Sequence, residues 1–212
     1  VMKAAEQREL VAFCRDANVL LIADEVYHRT IFNGDDKAPS FLEIIEDDDP
    51  VVVINSFSKA WAMTGWRIGW VVAPKRHVIT WTALSECFNT GATVFAQLGA
   101  EAALARGDGF VRELQAQYLA GRQLVDQALG QHPLFNYDSP EGAFYVFPSV
   151  KGLTDSLTFV KDLLAEADVG LAPGYTFGPG NETHFRLCFA HSHERLEEGL
   201  ARLVAFTERR FG

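Results

Sequence analysis

Apolar positions change period several times along the chain, and each change predicts an element. Over residues 1–18, Leu10, Val11, Cys14 and Ala17 recur at three-to-four spacing, the stripe that an amphipathic helix turns toward a core. VLLIADEVY (19–27) and VVVINSFSK (51–59) are instead short continuous apolar runs, the first ending in carboxylates and the second in small polar residues. Such runs suit strands of a parallel sheet covered on both faces. Between them FNGDDKAPS (32–40) is polar, and the acidic Glu46–Asp49 run reads as a solvated turn ahead of the second strand. RIGWVVAP (67–74) predicts a third strand and residues 75–88 a helix. Residues 93–129 predict a long helical stretch with a weak point at Arg106-Gly107-Asp108-Gly109.

The C-terminal part changes character. GAFYVFP (142–148), VGLAP (169–173) and THFRLCFA (183–190) read as short strands, with helices at 156–167 and from about Ser192. Together these predict an α/β chain: part of a mainly parallel three-layer αβα sheet domain, then a smaller α+β domain. The expected division is 1–125, including the linking helix, and 126–212.

Composition narrows the function classes. With 212 residues, 48% of them hydrophobic and 22% charged, the chain has material for a core and no signature of disorder. Its 19 basic and 28 acidic residues sum to −9, which argues against nucleic acid as a partner. Cys14, Cys87 and Cys188 are too few and too dispersed for a disulfide scaffold or a zinc site, and read as the reduced thiols of a cytoplasmic protein. No apolar run approaches the roughly 18 residues of a membrane span, and no signal peptide is expected.

The chemistry gathers in SFSKAWAMTGWRIG (56–69), a turn directly after a buried strand. Open α/β sheets place ligands at such strand ends. Ser56 and Ser58 offer hydroxyls and Arg67 a guanidinium fork, a set suited to phosphate. Lys59 beside them is a candidate nucleophile, and phosphate plus a reactive lysine is what pyridoxal phosphate requires. Asp24, at the end of the earlier run, would be costly to bury unless a cation met it, and a protonated pyridine nitrogen is such a cation. Tyr27 could donate to the same ring's phenolic oxygen.

In these residues the chain resembles the class I/II aminotransferases, the fold-type I pyridoxal 5'-phosphate enzymes. The resemblance runs from Ser56 through Lys59 and Arg67 to Gly69, includes Asp24 and Tyr27, and extends to GAFYVFP and PGYTFGPG (173–180). It implies that Lys59 joins the cofactor as a Schiff base and then shuttles the substrate proton. Asp24 would bind the pyridine nitrogen, Tyr27 the phenolic oxygen, and Ser56, Ser58 and Arg67 the phosphate. Arg186, in THFRLCFA, matches the arginine that grips the substrate α-carboxylate, although a lone strand arginine often pairs with a nearby acid instead. The implied reaction moves an amino group between an amino acid and a 2-oxo acid by a ping-pong route. A β-eliminating lyase, an aminocyclopropane-carboxylate synthase and a non-catalytic regulatory module on the same scaffold are the alternatives.

The resemblance further implies a homodimer, and a chain matching the C-terminal half of a polypeptide about twice as long, without the Asn-Pro-x-x-Pro-Thr-Gly loop that precedes its first helix. In the dicarboxylate-specific branch a neighbouring subunit contributes an arginine near the position of Thr93; FNTGATVFAQL (88–98) has no basic residue, so that mode of selecting aspartate is not matched. Trp61, Trp66 and Trp70 are expected in the core or at a dimer contact, and Glu25 as structural. His191 and His193 flank a helix-capping serine and do not form a metal set, and His28, His77, His132 and His184 are given no catalytic role.

Overall fold

Residues Ala4–Ala17 form the first helix, α1, which buries Gln7, Val11 and Cys14. Ala17, a member of the predicted stripe, is exposed, and the buried face instead includes Gln7, whose Nε2 donates to the Pro39 carbonyl at 2.9 Å. This computed structural model describes every residue from Val1 to Gly212, in two units, Val1–Gln115 and Ala116–Gly212.

The first unit is built on one sheet of β1 (Leu21–Asp24), β2 (Val51–Ser56) and β3 (Gly69–Val72), in the order β1-β2-β3. β1 and β2 are parallel, with Leu21 opposite Val51 and Asp24 opposite Ile54. β3, whose direction the sequence pattern leaves open, runs antiparallel to β2, with Ser56 opposite Gly69. The connection between them is a single helical turn, α2 (Phe57–Ala60), and a 3-10 turn (Thr64–Trp66), which reverse the chain instead of crossing over the sheet. On one face Ala23, Val51 and Val53 pack with Val11 of α1 and Phe41. The other face carries the buried Val52 between Ile22, 57% exposed, and Val71, 46% exposed.

The acidic run before β2 is not uniformly solvated. Asp47 and Asp48 face solvent, but Asp49 is only 6% exposed, because the Arg15 guanidinium of α1 meets its carboxylate through Nε and, at 2.6 Å, through Nη2. α3 (Val78–Asn89) follows a 3-10 turn, and the long helical stretch breaks at Gly107 into α4 (Val94–Arg106) and α5 (Asp108–Leu129). A second core beside α2 gathers Phe57, Trp61, Met63, Ala100 and Val111. Trp61 and Trp70 flank Phe57 at 4.9 and 5.1 Å between ring centres, whereas Trp66 is 45% exposed.

In the second unit β4 (Phe135–Asn136) pairs with β6 (Ser149–Val150), and β5 (Tyr145–Val146), β8 (Phe185–Cys188) and β7 (Ala172–Pro173) form a three-stranded antiparallel sheet, order β5-β8-β7. α6 (Ser156–Ala167) and α7 (His193–Phe211) supply Phe159, Leu163, Leu203 and Phe206, which bury against Phe185 and one another. Asp155 caps α6 by accepting from the backbone of Leu157 and Thr158. Ser192 occupies the cap position of α7 without a side-chain cap bond. No helix is long and apolar enough to cross a membrane.

Candidate functional site

Local chemistry shapes the turn after β2. Ser56 ends the strand and caps α2, its Oγ accepting from the Ser58 backbone N–H at 3.1 Å. That hydroxyl also lies 2.9 Å from Ser58 Oγ and 3.3 Å from the Ile68 carbonyl, so its own proton is used inside the turn, and Ser58 is left to offer a hydroxyl outward. Gly69 opposite must lack a side chain, since a Cβ there would run into the Asn55 carbonyl and crowd Ser56. Two non-glycine residues in the connection, Ala62 at φ 52° and Arg67 at φ 51°, hold left-handed backbone, each at a cost on the order of 1 kcal/mol. The Arg67 guanidinium is exposed and donates from Nη1 to the Thr64 carbonyl at 3.0 Å.

Lys59 sits on the one-turn helix with its ammonium 5.6 Å from the centre of the Tyr27 ring, within the range of a cation–π contact. The structure therefore brings together Ser56, Ser58, Lys59 and Tyr27, from the C-terminal ends of adjacent parallel strands. Asp24 ends β1 at that same edge of the sheet, its Oδ1 accepting from the Val26 N–H at 3.1 Å. Its carboxylate is exposed rather than buried. An open cleft of about 1020 Å³ runs past Ser56 and Arg67 and is walled by Trp70, Trp81 and Glu86.

Glu25 does structural work: its carboxylate accepts from Ser40 Oγ at 2.7 Å and the Phe41 N–H at 2.8 Å, tying the polar loop to the end of β1. Sequence reading passed over Asn55. It is buried, accepts from the Ser56 N–H at 2.8 Å, and lies with Nδ2 3.0 Å from His28 Nδ1. The signal was available in a polar residue placed where the alternation of β2 points into the core, a position that demands a partner.

Arg186 belongs to the second unit. It lies on β8 between two aromatic rings, its guanidinium carbon 4.5 Å from the centre of Tyr145 and 4.7 Å from that of Phe177. No ion pair of the protein involves Arg186. A half-buried guanidinium held flat and left without an anion is equipped to receive one.

Comparison with known proteins bears on this arrangement. The family described as Aminotransferase class I and II matches residues 1–203. The chain is 35% identical over 208 residues to an aspartate aminotransferase of Pyrococcus abyssi and 34% identical over 210 residues to a valine–pyruvate aminotransferase of Mycobacterium tuberculosis. Each match covers 96% of this chain and 52% of the relative. Among solved structures, an aromatic aminotransferase from Pyrococcus horikoshii superposes with a TM-score of 0.90 at 31% identity, over 99% of this chain and 57% of that one. The chain thus spans about half the length of the curated relatives it matches.

Proposed function

The chain belongs to the class I and II aminotransferases, and from that premise we propose that it contributes the lysine-bearing part of a pyridoxal 5'-phosphate-dependent transaminase, acting on an amino acid and a 2-oxo acid. The observation that carries the reading is the single capped turn that presents Ser58 and Lys59 while Lys59 rests beside Tyr27 of the adjacent strand end. The donor set suits the cofactor: the Ser58 hydroxyl and the Arg67 guanidinium for a phosphate, an amine for a carbonyl carbon, and an exposed carboxylate at the strand end for a protonated ring nitrogen.

In this reading Ser56 shapes the cradle, and Ser58 and Arg67 hold the phosphate. Asp24 would accept from the ring N–H and keep that nitrogen protonated, and the Tyr27 hydroxyl would donate to the phenolic oxygen. When bound, the cofactor supplies an electron sink for the charge that develops at the substrate's α carbon. Lys59 Nζ acts as general base toward the α-carbon proton of the amino acid. Arg186 takes the α-carboxylate in two parallel hydrogen bonds, with Tyr145 and Phe177 keeping the guanidinium plane fixed. We read residues 1–125 as part of a cofactor-binding domain and 126–212 as a small domain, and the working form as a homodimer. We place the protein in the cytoplasm, a compartment that keeps thiols such as Cys14, Cys87 and Cys188 reduced.

Borohydride reduction of the full-length protein in the presence of pyridoxal phosphate, followed by peptide mass mapping, tests the reading. The expected result is one modified residue, Lys59, and loss of both modification and amino transfer in Lys59→Ala. Modification confined to another lysine overturns it.

A further inference from the structure

The half-buried contact between His28 and Asn55 is absorbed by none of these roles. Asn55 lies on β2 immediately before Ser56, and His28 follows Tyr27 in the turn after β1. The Asn55 carboxamide has only one workable orientation. Its Oδ1 accepts from the Ser56 N–H at 2.8 Å, and a flipped amide would set two donors face to face. Nδ2 therefore points at His28 Nδ1, 3.0 Å away, and Nδ1 must present a lone pair. The second neighbour of Nδ1 is the Glu25 carbonyl, also at 3.0 Å. That carbonyl already accepts from the His28 backbone N–H, so it loses little when the ring proton sits on Nε2 instead.

The imidazole is thus caught between a donor and an acceptor at one nitrogen. With Nδ1 bare, Asn55 is held from both sides and the Ser56 N–H is fixed. With Nδ1 protonated, the ring turns its hydrogen bond to Glu25 and confronts the Asn55 NH₂ with a second donor. Charged groups near the ring are already engaged: the Glu25 carboxylate with Ser40 and Phe41, Arg29 with Asp108, and Lys37 with Glu43.

We infer that His28 and Asn55 form a positioning pair, which locks the turn bearing Ser56, Ser58 and Lys59 to the turn bearing Tyr27 and releases it when His28 takes a proton on Nδ1. The inference rests on the proposed role of Lys59 and Tyr27 and adds two residues that act through Ser56 and the turn. Burial, which disfavours the imidazolium, keeps the ring in the locking state near neutral pH.

The test uses the full-length protein with His28→Leu, which cannot accept from Asn55, and His28→Gln, whose amide oxygen can accept without titrating. In the cofactor-free protein, hydrogen exchange at the Ser56 N–H is expected to accelerate about tenfold or more in His28→Leu, as for the loss of one buried hydrogen bond, and to return toward the wild-type rate in His28→Gln. For the loaded enzyme, kcat/KM is expected to fall by a similar factor in His28→Leu and to recover in His28→Gln, with the acid limb of its pH profile flattened. Wild-type exchange and turnover in His28→Leu, or no rescue by His28→Gln, overturn the inference. If His28→Leu does not fold, the imidazole nitrogen shifts of the wild-type protein decide: a neutral ring carrying its proton on Nδ1 overturns it. Because exchange and nitrogen shifts need no cofactor, they separate failure of the pair from failure of the transaminase reading, which would show instead as no turnover in any form.

Discussion

Asp49 belongs to an acidic run, yet it alone is buried, and the hydrogen bonds from Arg15 hold its carboxyl below the usual carboxylate range. A depressed folded value means that the pair's stabilisation is complete above the unfolded value of about 3.9 and is lost as pH falls through the lower folded value. Asp49→Asn is expected to cost about 2 kcal/mol in denaturant unfolding at pH 7, and the gap between wild type and variant is expected to close in strong acid. His28 behaves in the opposite pH range. Its neutral form costs nothing above roughly pH 6.5, and stability falls as the pH drops below that value, because the unfolded ring then binds a proton that the half-buried ring resists. Unfolding titrations should show this neutral-to-acid loss shrinking in His28→Gln. Arg186→Lys keeps the charge but not the flat fork seated between Tyr145 and Phe177, so the KM for the amino acid is expected to rise about tenfold or more, with thermal stability nearly unchanged.

At the scale of elements, close packing decides where glycine must stand. Gly99 lies mid-helix in α4, where alanine would ordinarily gain about 1 kcal/mol. A Cβ at Gly99, however, would run into the Trp66 ring, the residue next to Arg67 in the strained connection. Gly99→Ala is therefore expected to fall short of that gain, because the half-exposed Trp66 ring must shift to admit the methyl, and the same change in a Trp66→Ala background is expected to stabilise by about 1 kcal/mol. A double-mutant cycle in thermal unfolding measures this, and additive effects would refute the contact. The reversal of β3 also belongs to this scale. Its apolar run predicts a strand, but direction depends on the path of the connection, and the α2 turn brings the chain straight back beside β2.

For the whole molecule the exposed apolar residues matter most. Phe95 and Leu98 on α4 are 70% and 61% exposed, close to Thr93, the stretch that in the dicarboxylate-specific branch receives an arginine from the neighbouring subunit. Sedimentation of the full-length protein is expected to give a dimer, and Phe95→Glu is expected to weaken it at least tenfold; an unaltered dimer would place the contact elsewhere. The sequence by itself determined a good deal. Helix α6, the break at Gly107, the strands before Lys59 and around Arg186, and the cluster from Ser56 to Gly69 are all legible, because local periodicity, turn chemistry and short-range spacing carry them. It could not show that Asp49 is buried, that β3 runs antiparallel, that Arg186 has aromatic rings on both sides and no carboxylate partner, or that Asn55 meets His28. Each of these depends on residues far apart in the chain meeting in space, and the partner that a polar side chain finds there is decided by packing, not by its neighbours in the sequence.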